Sequence, residues 1–185
     1  MILATWRARR ANRALIDQLH GEIVAAARQP ALYRDFQAPD TIDGRFEMVA
    51  LHAGLAMRRL TAISGIGAEM AQELADSVFR HLDDALREMG VGDTAVPKRI
   101  KKMAEAFYGR NKAYGEGLDE PSSDRLERAL ARNVYGSEDL AGAPMAPALA
   151  RFVREAARAL DAAPLEKFMA GRVDFPAPAL SEDSR

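Results

Sequence analysis

Cysteine is absent from the 185 residues. That excludes disulfides, thiolate nucleophiles, iron–sulfur clusters and zinc sites built on cysteine, and it points to a reducing compartment. Histidine is nearly as scarce: three occur, at positions 20, 52 and 81. None is spaced H-x-x-x-H or H-E-x-x-H, so no metal site is assigned. Net charge is also missing, with 26 Lys and Arg against 27 Asp and Glu, so no global field draws the chain to nucleic acid and DNA is not an expected partner. The longest weakly polar run, 48–57, contains His52 and stops at Arg58 and Arg59. It is half of the roughly 20 residues that a bilayer-spanning helix needs. At the N-terminus the apolar residues of MILATWRARR precede its arginines, the reverse of a secretory signal. The expected location is the cytoplasm or matrix.

What is present is a globular composition, 48% hydrophobic and 29% charged with a mean hydropathy of −0.24. One domain that needs no staple is expected. Apolar residues recur at helical spacing and no stretch alternates as a half-buried strand does, so the predicted fold is all-α, a single multi-helix domain of about six helices. The first helix is expected over 5–28, with Leu15, Leu19 and Ile23 as its stripe. A linker with Pro30 and Pro39 follows over 29–41. The second helix, capped by Asp40, Thr41 or Asp43, runs to about 63 and buries Phe46, Val49, Ala50, Ala53, Met57 and Leu60. Two glycines within 64–67 break the chain. The third helix spans about 68–89 with Met70, Leu74, Val78, Leu82, Leu86 and Met89 inward, and Gly90 serves as its left-handed cap. Asp93 or Thr94 caps the fourth, where Pro97 fits the first turn and Val96, Ile100, Met103, Phe107 and Tyr114 face the core. After the EGLDEP turn come a helix from Ser122 or Ser123 to about 135, closed by Gly136, a loop over 141–147, a last helix over 148–162, and a short turn around 165–170. The division is thus an N-terminal helix with a basic start (1–30), a core (31–140), a C-terminal helical extension (141–172) and a flexible tail (173–185).

Gly90-Val91-Gly92-Asp93-Thr94-Ala95 fits G-x-G-x-x-A, but the residues before it carry charge at helical intervals where a dinucleotide site needs a buried strand. Tyr108-Gly109-Arg110-Asn111-Lys112 fits Y-x-x-x-K without a nucleotide site to serve. No G-x-S-x-G or P-loop occurs. No catalytic residue and no cofactor is therefore assigned, and the expected protein is not an enzyme. The rival enzymatic reading is a small metal-dependent site from Asp76, His81 and Asp84; against it, Arg80 and Arg87 are spaced to pair with the acids nearby. His52, inside the apolar second helix, reads as a hydrogen-bonded core or interface residue.

Charge is unevenly distributed across the Gly90 turn. From 69 to 93 there are seven acids and two basic residues, whereas from 98 to 112 there are six basic residues and one acid. Either the two helices lay these faces against each other, or the basic side is a ledge for an anionic partner such as RNA, lipid headgroups or an acidic loop. Arg7, Arg9, Arg10 and Arg13, beside Ile2, Leu3 and Trp6, form a second basic element suited to a membrane surface.

The run from 42 to about 135 resembles the ubiquinol-cytochrome c chaperone family. The resemblance is carried by Asp43-Gly44-Arg45-Phe46-Glu47, Leu51-His52, Arg58-Arg59-Leu60, the stretch LREMGVGD at 86–93, and its continuation through Val96-Pro97-Lys98-Arg99-Ile100-Lys101-Lys102-Met103 to Phe107-Tyr108-Gly109-Arg110. It implies a non-enzymatic assembly factor that binds newly made cytochrome b and supports the ubiquinol-cytochrome c reductase complex, respiratory complex III. In mitochondria the family also works beside the ribosome with a second small subunit. The candidate partner-binding residues are Arg87, Glu88, Gly90, Val91, Gly92, Asp93, Pro97, Lys98, Lys101, Lys102, Phe107, Tyr108 and Arg110. A groove exposing Val91, Phe107 or Tyr108 would hold apolar client segments. Lys98, Lys101, Lys102 and Arg110 would contact acidic loops, a ribosome or an anionic membrane, placing the protein peripherally at the inner membrane. A helical RNA-binding module is the remaining alternative.

Overall fold

The computed structural model describes residues 2–63 and 65–180, with side chains from Asn12 onward. The side chains of Ile2, Leu3, Trp6, Arg7, Arg9 and Arg10, the residue Ser64 and the last five residues lie outside that description. Among the described residues the fold is all-helical. Six helices have ten or more residues: α1 (Ile2–Ala27), α3 (Ile42–Ala62), α4 (Ile66–Glu88), α5 (Val96–Asp119), α6 (Arg125–Val134) and α7 (Ala146–Asp161). Two have five, α2 (Pro30–Arg34) and α8 (Leu165–Met169). No helix among them is long and apolar enough to cross a membrane.

The organising element is α3, which packs against α1, α4, α5, α6 and α7. Its stripe was expected on one side, yet Glu47, Met48, Ala50, Leu51, His52, Ala53, Leu55, Ala56 and Leu60 are all buried, while Phe46, Val49 and Met57 are only partly so. A helix that is apolar all round is a central helix. Small residues at 50, 53, 54 and 56 let neighbours approach closely. A Cβ at Gly54 would lie 1.9 Å from Asn111 Oδ1 of α5. Thr41, one of the three expected caps, accepts from the Gly44 amide at 3.1 Å, whereas Asp40 pairs with Arg45. The expected linker over 29–41 instead contains α2 and inserts Leu32, Phe36 and Ala38 into the core.

At the C-terminus of α4 the chain reverses as expected. Gly90 has φ +80°; its N–H donates to Arg87 O at 2.9 Å and that of Val91 to Leu86 O at 3.0 Å, the paired bonds of a Schellman cap. No atom lies within 4 Å of a Cβ at Gly90, so the backbone angle alone makes glycine preferable there. Gly90→Val should cost about 1 kcal/mol or more, read as a lowered urea midpoint; an unchanged midpoint would remove the cap from the account. On α4 the inward stripe holds for Met70, Leu74, Val78 and Leu86, but Leu82 is half-buried and Met89 is exposed.

Three further expectations are corrected. The N-cap of α5 is Ala95, with no side-chain cap, because the Asp93 carboxylate is taken by Arg87 at 2.5 Å. Of the expected core face of α5, Val96, Phe107 and Tyr114 are buried, while Ile100 and Met103 are half-buried. Finally α5 continues through the expected turn to Asp119, since Gly117 serves close approach to α6: a Cβ there would lie 2.6 Å from the Leu126 backbone.

The last helices start and stop near their predicted ends, and Gly136 has φ +66°. Residues 173–180, expected to be a loose tail, have no regular structure but lie on the body. Val173 is buried, Phe175 meets His52 with ring centroids 4.9 Å apart, and Asp174 pairs with Lys167.

Candidate functional site

Two surfaces meet on α5. The first is the ledge that follows the Gly90 turn. Lys98, Arg99, Lys101 and Lys102 are exposed, and no ion pair among the described residues joins α4 to α5. The acids and bases of the two helices therefore do not neutralise one another by contact. Several of those on α4 are served elsewhere: Arg87 pairs with both Asp83 and Asp93 at 2.5 Å, and Arg80 reaches Asp17 of α1 at 3.6 Å. The Arg87 fork thus locks the turn to α4 and presents Gly92 and Pro97 at the surface. Glu88 is exposed on the same last turn of α4, and Val91 is half-buried.

The second surface is a groove of about 320 Å³ between α3 and α5. Leu51, Leu55, Met57, Tyr114 and Leu118 line it, with Tyr108 at its wall and Arg58, Thr61 and Asp119 also bordering it. Tyr108 is 47% exposed and leans on Phe79 of α4 and Phe107, at 6.0 and 5.4 Å between centroids. Arg58 donates to Asp119 and Asp161, each at 3.0 Å, tying α3 to α5 and to the end of α7.

Two sequence-predicted contacts are corrected by burial. Phe107 is fully buried and edge-on to Phe79 at 5.3 Å, so it supports the surface from beneath and exposes nothing to a partner. Arg110 is turned inward, with its guanidinium 2.6 Å from Glu47 of α3. Burial pushes the Glu47 carboxyl up to about 7 against the pull of Arg110. Glu47 Oε2 and Arg110 Nε are buried without hydrogen-bond partners. This pair is a strut between α3 and α5, absent from the ledge.

Asp76, His81 and Asp84 do not assemble. Asp76 receives the Gln72 amide at 3.0 Å, and His81 points its Nδ1 at the Ser77 carbonyl, 2.8 Å away, and stacks on His20. No group of three metal-binding side chains occurs among the described residues. His52 lies in the core with Nδ1 2.8 Å from Met48 O, and burial holds its pKa near 4, so it is neutral at ordinary pH. Sequence reading missed the groove walls. The signals were the glycine at 54 within an apolar helix and the Arg58-Arg59 pair that ends the run.

The described residues thus form a helical body with a basic ledge beside an apolar groove. The chain belongs to the ubiquinol-cytochrome C chaperone family, whose model matches residues 34–175, reaching beyond the run from 42 to 135 into α7, α8 and the segment after them. It is 27% identical over 101 residues to the ubiquinol-cytochrome-c reductase complex assembly factor 1 of Xenopus laevis, an overlap of 54% of this chain and 50% of that protein. It therefore spans about half the length of that curated relative. The crystal structure of the Cbp3 homolog from Brucella abortus superposes with a TM-score of 0.81 at 40% identity, over 95% of this chain and 97% of that one.

Proposed function

We propose that this protein is a non-enzymatic assembly factor for the ubiquinol-cytochrome c reductase complex, and that its client is newly made cytochrome b. The supporting observation is the pairing, on one helix, of an apolar groove with a row of unpaired lysines. A freshly made membrane subunit offers apolar segments joined by polar loops near an anionic bilayer. The groove between α3 and α5, with Tyr108 at its wall, takes an apolar segment. Lys98, Lys101 and Lys102 contact an acidic loop, the membrane surface or the ribosome. Arg87 and the Gly90-Val91-Gly92-Asp93 turn, with Glu88 and Pro97, set the angle between them, while Phe107 and Arg110 act from within by packing.

The test is capture of tagged protein from its native cells, comparing wild type with the variant Lys98→Glu, Lys101→Glu and Lys102→Glu. Exposed lysines carry about 0.5 kcal/mol of stability each or less, so the variant should fold. Wild type is expected to recover cytochrome b, less of it as salt rises, and the triple variant several-fold less. Undiminished recovery by the variant would make the ledge a solvated face, and recovery of no cytochrome b by wild type would overturn the client.

A further inference from the structure

We propose that the stacked pair His20–His81 is an acid-sensitive latch that holds α1 on α4, so that acidification frees α1 while the rest of the body stays folded. The rings lie face to face, 4.1 Å between centroids and 14° from parallel. His20 belongs to α1 and is only 9% exposed. His81 belongs to α4 and covers it from the solvent side. Its Nδ1–H donates to the Ser77 carbonyl at 2.8 Å, which fixes the ring over its partner. Two imidazoles can stack this closely only while they do not both carry charge.

The neighbours of His20 do not relieve that conflict. From α1 come Asp17 and Arg28, and from α4 Arg80 and His81 itself; α3, also packed on α1, supplies no charge acting on His20. Asp17 is already engaged, accepting from the buried Ser77 hydroxyl at 3.2 Å and lying 3.6 and 3.8 Å from Arg80 and Arg13. Burial above all, then the charge of His81, pushes His20 down to about 4, with Asp17 pulling weakly the other way. A histidine freed into water titrates near 6.5. The latch is thus fully closed above pH 6.5 and weakens as pH falls towards 4, opening with uptake of one proton. The opening equilibrium should rise up to about tenfold per pH unit in that window.

Only one other side-chain bond crosses the α1–α4 contact among the described residues besides the Asp17 cluster and the histidines, from the Asn12 amide to Glu73 at 2.5 Å. The third histidine is independent: His52 is packed by Phe152 and Phe175, so its protonation acts through unfolding of the whole core.

Amide hydrogen exchange between pH 7.5 and 5, corrected for intrinsic rates, tests the latch. Protection within residues 12–27 should fall about tenfold per pH unit below 6.5 and stay below that of α7, which opens only with the whole core, and His20→Phe should abolish the dependence in α1. An α1 protected as strongly as α7 at every pH, an α1 that ignores pH, or a pH response of α1 kept in His20→Phe would each overturn the proposal. Should His20→Phe fail to fold, the wild-type His20 ring resonances decide: titration near 4 supports the latch, and titration near 6.5 refutes it.

Discussion

Arg110→Met is expected to destabilise the protein by about 2 kcal/mol at pH 8, roughly the cost of protonating the carboxyl one pH unit above its folded value plus one lost hydrogen bond, and by clearly less at pH 6. The substitution leaves Glu47 buried at the α3–α5 interface with no cation. Its Oε1 sits 2.6 Å from the guanidinium and its Oε2 has no partner, so nothing else compensates the charge. The pH dependence follows from the carboxyl already being raised to about 7 in the presence of Arg110. A carboxyl whose folded pKa exceeds its unfolded value costs stability as pH climbs from the unfolded value to the folded one. Removing Arg110 raises the folded value further and extends the loss above pH 7; at pH 6 the group is largely protonated in both proteins. Urea unfolding at the two pH values reads the difference. The double variant Glu47→Leu, Arg110→Met should recover most of the loss, since an apolar pair of similar size replaces a buried ion pair at little cost. A single variant within 1 kcal/mol of wild type at both pH values would show that the strut carries no weight.

Phe107→Ala is expected to cost about 3–5 kcal/mol and to lower Tm by on the order of 10 °C in a chain of this size. Phe107 is fully buried and wedged edge-on between Phe79 and Tyr108, so truncation leaves a cavity where α4 and α5 meet. Tyr108→Ala, one residue away, removes a ring that is half in solvent and should cost about 1 kcal/mol or less, typical of a surface change. If Tyr108 touches the client, its variant loses capture of cytochrome b while keeping its Tm. Equal melting temperatures for the two variants would contradict the burial that separates them.

Helix positions were legible because apolar spacing, proline and glycine mark them locally: the Schellman turn at Gly90, the Thr41 cap and Pro97 in the first turn of α5 all follow from neighbours in sequence. Which residues of a helix face inward was less legible. α3 carries apolar or small residues on every side, and only the packing of five other helices around it explains why. Gly117 reads as a helix breaker until Leu126 is found lying against it, and Asp93 reads as a cap until Arg87 is found holding it. The same limit applies to the site. The ledge was visible as a run of lysines, but Arg110 belongs to that run in sequence and to Glu47 in space. The groove draws on residues from 51 to 61 and from 108 to 119, too far apart along the chain for any spacing rule to join them.

Complex III in a strain lacking this gene tests the central claim most directly. Its assembled amount is read on native gels together with the reduced haem-b absorbance of the membranes. Both should fall severalfold while the other respiratory complexes stay near wild type, and the wild-type gene should restore them whereas the Lys98, Lys101, Lys102 triple variant restores them only in part. Normal complex III in a clean deletion would contradict it.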